Sequence, residues 1–224
     1  MKIRNTAIVA ALLSATAIAV PATAQVSGIA TAETSVAIAR SKALGTAYQQ
    51  IGTQYAAVAQ QMQTKRQEIN NINAQLDTNK DKELTQAELD AAIKAKNPLL
   101  TQLDAKQKEV NALQEPIILA QIYAVEQIAV KYDAALQAVI AAKKINVILA
   151  PDAFIWAPEA VFVTPAITAE LDKAVPSVAI TPPADYRPSR QIGALYQQIT
   201  TAGIPGYPFA RQGCLWFCFC RLRH

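Results

Sequence analysis

The stretch with the most defined chemistry is the run Asp77-Thr78-Asn79-Lys80-Asp81-Lys82-Glu83-Leu84-Thr85-Gln86-Ala87-Glu88. It sets oxygen-bearing side chains at positions 1, 3, 5 and 12 of a twelve-residue loop: Asp77, Asn79, Asp81 and a potentially bidentate Glu88. Glu83 at position 7 offers a backbone carbonyl, and Thr85 at position 9 a hydroxyl or a bridging water. This is the donor pattern of a helix–loop–helix calcium loop, with apolar Leu84 at position 8. Lys82 departs from it, because position 6 normally needs glycine for a sharp left-handed turn. A lysine there costs about 1 kcal/mol in backbone strain. The same residues also make a polar turn in which Thr85 caps the next helix beside Glu88. Calcium is the one candidate cofactor; none is required by anything else in the sequence.

The loop sits between two long apolar-striped segments, Leu44–Leu76 and Leu89–Val139. On the first, Leu44, Tyr48, Ile51, Tyr55, Val58, Met62, Ile69, Ile72 and Leu76 alternate in steps of four and three, with one skip at Lys65. That is a heptad seam. From Thr34 to Leu76 it predicts roughly 60 Å of helix. Gly45 and Gly52 weaken its start and suggest close packing or a bend there. The return arm repeats the pattern from Ile118 to Val139, and gains a residue of register between Val110 and Ile118. Pro98 and Pro116 should each kink or restart that arm. Neither arm can bury its stripe alone, so an antiparallel hairpin over 35–144 with its tip at 77–88 is expected.

Around the hairpin the pattern changes. Val26–Thr31, Asn146–Ala150, Ala153–Trp156 and Ala160–Val163 read as short strands, and Thr164-Pro165 opens a short helix. The expected fold class is therefore mainly α: a long coiled-coil hairpin on a small β-sheet base (25–34 and 145–178) that serves oligomerisation. Lys2 and Arg4, the apolar run Thr6–Val20 and Ala22-Thr23-Ala24 read as a cleavable signal peptide over 1–24, which sends the chain to the periplasm. Residues 179–224 are Pro-rich and expected to be mostly disordered, with one weak helical turn or two over Gly193–Thr201. The three cysteines, Cys214, Cys218 and Cys220, fall in this tail, within an apolar-aromatic extension ending at His224.

The formal charge of +4 includes Lys2, Arg4, Arg211, Arg221 and Arg223; without those five cations the balance is −1. A nucleic-acid binder needs a concentrated basic face, so that class is disfavoured. The only histidine is terminal, and no nucleophile elbow, phosphate loop or dinucleotide glycine pattern occurs, so no enzyme is expected.

Gly28–Ala32, Ile145–Trp156 and Thr164–Leu171, in that order around a hairpin, resemble the Skp (OmpH-like) periplasmic chaperone family over roughly Gln25–Val178. The resemblance implies a homotrimer whose base strands form a small barrel, with hairpins hanging around a cavity. It implies an ATP-independent holdase for unfolded outer-membrane proteins, with contact to the membrane surface in some cases. The chain departs from the strongly basic hairpins of that family: Lys and Arg number 13 against 12 Asp and Glu over Glu33–Lys144. Two other readings stand beside it, a calcium-binding coiled-coil envelope protein using the EF-hand-like loop and a non-chaperone envelope scaffold.

Overall fold

In a computed structural model, residues 28–201 are described. The signal peptide and the cysteine-bearing extension lie outside them. Strand β1 (Ile29–Thr31) leads into α1 (Thr34–Ala39), α2 (Lys42–Gln54) and α3 (Ala56–Leu76), which form the outbound arm. After the tip come α4 (Gln86–Lys94), α5 (Pro98–Ala129) and α6 (Tyr132–Lys143), then β2 (Val147–Leu149), α7 (Thr164–Ala174) and α8 (Arg190–Thr201). The mainly α architecture on a small sheet is as the sequence predicts.

The two strands pair in parallel, with Ile29 opposite Val147 and Thr31 opposite Leu149. Parallel neighbours need a crossover, and here the whole hairpin is that crossover. Gly28 starts the pairing: its carbonyl accepts from the amides of Asn146 and Val147, each at 2.8 Å. Its φ of 92° and the Asn146 side chain, 2.6 Å from where a Cβ would stand, leave room for glycine alone. Two expected strands are absent. Pro151–Ala153 and Glu159–Val161 are 3₁₀ turns, and of Ala160–Val163 only Phe162 bridges to Thr31. Pro151 and Pro158 each hold φ near −65° at these turns and cannot donate to a ladder.

The arms are segmented at places the heptad pattern conceals. Ser41 ends α1 by donating to the Ile38 carbonyl at 2.7 Å and caps α2. Asp172 of α7 accepts from the Lys42 amide at 2.8 Å, a carboxylate at a helix N-terminus. Tyr55, with φ −101° and ψ 16°, separates α2 from α3. Pro98 restarts the return arm as the first residue of α5 behind the Asn97 cap, as expected. Pro116 does not: α5 runs through it for 32 residues. Pro116 and Ala112, whose carbonyl loses its partner, are both exposed, so water can satisfy that group. Gly45 and Gly52 have no neighbour within 4 Å of an added Cβ, so close packing is not their reason.

Three apolar clusters run along the molecule. The base core gathers Ile38, Leu44, Val125, Ile128, Ile167 and Leu171. A second holds Ile51, Met62, Ile117 and Ala120, and a third near the tip holds Ile72, Leu76 and Ala92. Between the second and third, at the skipped seam position, lies a layer of charge. Lys65 pairs with Glu109 across the arms at 2.8 Å, and Lys106 with Glu68 at 2.8 Å.

Residues 179–201 depart from the expected disordered tail. Helix α8 presents Ile192, Leu195, Tyr196 and Ile199 on one face, and Ile199 is buried in the base core against α1 and α5. The four fall at i, i+3, i+4 and i+7, an amphipathic helix hidden between prolines.

Candidate functional site

Two regions carry functional chemistry: the tip loop and the exposed edge of the base.

At the tip, Thr85 and Glu88 form a capping box that starts α4. Glu88 does more than cap. One carboxylate oxygen accepts from the Thr78 amide (2.7 Å), the Thr78 hydroxyl (2.9 Å) and the Asn79 amide (3.2 Å). The other accepts from the Thr85 amide (3.0 Å) and hydroxyl (2.8 Å). These bonds, those from Thr85 first, pull the Glu88 carboxyl down to about 2. Asp77 is buried at the end of α3 and turns its two oxygens to the amides of Lys80 (2.6 Å) and Lys82 (2.8 Å). Asn79 and Asp81 pair with each other, side chain to side chain, at 2.9 Å. The Glu83 amide donates to Asp81 at 2.8 Å.

The loop thus adopts the turn that its calcium-like spacing requires. Lys82 takes a φ of 73° and Lys80 one of 62°, both in the left-handed region. Among the described residues no three acidic, histidine or cysteine side chains come together as a metal cage. The oxygens of Asp77 and Glu88 accept from the loop's own amides and from the Thr78 and Thr85 hydroxyls, so the loop's own hydrogen bonds organise these carboxylates.

At the base, six large apolar side chains are exposed: Ile29, Val147, Leu149, Ile155, Trp156 and Phe162. They follow β1, β2 and the turn after β2. Of large apolar residues on the described hairpin arms only Ile93 and Val130 are comparably exposed. The structure uses most of the apolar stripes between the arms and leaves the apolar surface at the base.

Sequence reasoning missed a third group, on the face of α5 beneath the C-terminal segment. Gln121 is 3% exposed on an otherwise apolar stretch, and its carboxamide oxygen accepts from the Tyr196 hydroxyl at 2.6 Å. Tyr186 donates to Glu126 at 2.5 Å. A polar residue recurring on the base-proximal part of α5 was the available signal.

Fold and site together define a mainly α helical-hairpin protein built on a two-stranded parallel base. No family model and no curated protein matches the chain. Among solved structures it is similar to a candidate outer membrane chaperone (OmpH-like) from Caulobacter crescentus, at 21% identity. That match covers 74% of this chain and 93% of the other, with a TM-score of 0.42. No described helix is long and apolar enough to cross a membrane.

Proposed function

We propose that this chain is an ATP-independent holdase of the periplasm that binds unfolded outer-membrane proteins and works as a homotrimer joined through its base. One observation carries the reading: the exposed apolar edge of a two-stranded sheet. A sheet of two strands is marginal by itself, and its free edges present unpaired backbone groups. Ile29, Val147 and Leu149 add exposed apolar area on one face of the same sheet. Closed symmetric pairing with further copies removes both liabilities at once. Assembly at the base leaves the hairpins projecting around a shared space, where many weak apolar contacts can hold a chain without chemistry. The resemblance of the base segments to the Skp family supports the same assignment of client. No catalysis and no cofactor enter this function.

Two measurements on the full chain test it. Sedimentation or light scattering should give the mass of a trimer, and a stoichiometric excess of trimer should suppress aggregation of urea-diluted porin. A monomer with no effect on porin would leave the scaffold reading in its place.

A further inference from the structure

Between α7 and α8 the chain follows no regular structure from Val175 to Ser189, with prolines at 176, 182, 183 and 188. Val175 is buried in the base core and Val178 packs against it; beyond them the chain crosses the root of α5, where three further contacts hold it. The Gln127 carboxamide oxygen accepts from the Ala179 amide at 2.9 Å, and its nitrogen donates to the Ala179 carbonyl at 2.9 Å. Ile180 packs against both the base core and the neighbouring cluster of Ile51, Met62, Ile117 and Ala120. The Tyr186 hydroxyl reaches Glu126, and its ring meets Tyr123 edge-on at 5.0 Å.

This chemistry is that of peptide recognition. A carboxamide that both donates to and accepts from one residue's backbone reads main chain without regard to sequence. The cleft between two clusters takes one aliphatic side chain, and the Tyr123–Glu126 corner takes an aromatic hydroxyl. The occupant is weakly held. The Gln127 pair is exposed to solvent, and most of residues 176–189 are exposed, whereas Leu171 and Ile199 on either side are fully buried. Both ends stay fixed if the middle lifts.

We infer that Pro176–Ser189 is a releasable strap lying in a groove on α5 that accepts extended polypeptide with an aliphatic residue next to the paired amide. The inference deepens the holdase reading, and only its client experiment rests on that reading. In the strapped state the groove is filled by the protein's own chain; lifting the strap opens it to an unfolded segment.

The test loosens the strap in the full chain with Ile180→Ser and Tyr186→Phe, leaving every α5 side chain in place. The first probe is a fluorescent synthetic peptide with the sequence of Pro176–Pro188. It should bind the loosened chain at least tenfold more tightly than the unaltered one, and Gln127→Ala added to the loosened chain should abolish that gain. Equal binding to both chains, or binding indifferent to Gln127→Ala, overturns the inference. Hydrogen exchange provides a second reading: the bonded amides of Ala179 and Tyr186 should lose protection while α7 and α8 keep theirs. Loss of α8 protection in step with the strap would overturn it, because the segment would then be one cooperative piece of the base. Unfolded porin is the second probe. Tighter porin binding on loosening joins the groove to client holding. A loosened chain that binds the peptide but no porin keeps the groove and overturns the holdase reading.

Discussion

At the tip a single carboxylate accepts five hydrogen bonds, from Thr78, Asn79 and Thr85, so its removal has a defined reach. Glu88→Ala should speed amide exchange at Thr78, Asn79 and Thr85 at least tenfold and fray the start of α4, while the base stays protected. The carboxyl sits lower in the folded chain than its ordinary value of 4.5. Its contribution is therefore present above about 4.5 and is lost as pH falls toward about 2. Acid titration followed at the Thr85 amide should show the tip loosening in that window. Lys82→Gly relieves a left-handed lysine and should stabilise the tip by about 0.5–1 kcal/mol, read from local exchange. Because Glu88 and Asp77 already satisfy loop amides, millimolar calcium should give no calorimetric heat. A heat that vanishes in Asp77→Ala and Glu88→Ala chains would reverse that expectation.

Among the elements, the hairpin was legible because a 4-3 spacing over thirty residues leaves only one face to bury, and both arms carry it. The turn chemistry of the tip was legible too, down to the Thr85 cap. Other features left weaker traces. Tyr55 (φ −101°, ψ 16°) and Lys131 (φ −94°, ψ −5°) interrupt helices without glycine or proline to mark the break. Ala153–Trp156 and Ala160–Val163 read as strands because a short apolar run looks alike in a strand and in an irregular loop, whereas Pro151-Asp152 and Pro158-Glu159 read as the turns they are. Helix α8 showed only as one or two weak turns over Gly193–Thr201, because the prolines around it masked a regular Ile192–Ile199 spacing. The skip at Lys65 marked a real boundary, since the ion pairs there divide the apolar seam in two. Lys65 and Lys106 hold the Glu68 and Glu109 carboxyls below their ordinary values. These partly exposed pairs contribute little. Lys106→Met should lower the melting temperature only slightly, and the difference should disappear near 1 M salt, where the Debye length is about 3 Å. Leu171→Ala in the base core should cost far more, about 2–5 kcal/mol, by chemical denaturation.

For the whole molecule, the apolar edge of the base sets the expected behaviour. Val147→Asp puts a charge on a half-exposed position of β2 and should shift the proposed trimer to monomer without loss of helical circular dichroism. Porin holding should fall with it, because the shared space between hairpins exists only in the assembly. A monomer that still protects porin would place client holding on the single hairpin.

The parallel pairing of β1 with β2 also has a kinetic consequence. Its partners lie at opposite ends of the hairpin, so the sheet closes a loop that spans both arms. Closing such a loop is entropically costly until the arms between have zipped and drawn its ends together. The base should thus be the last part to form, its exposed apolar surface completed only after the hairpin has closed. Refolding followed by a probe at the tip should run ahead of one at Trp156.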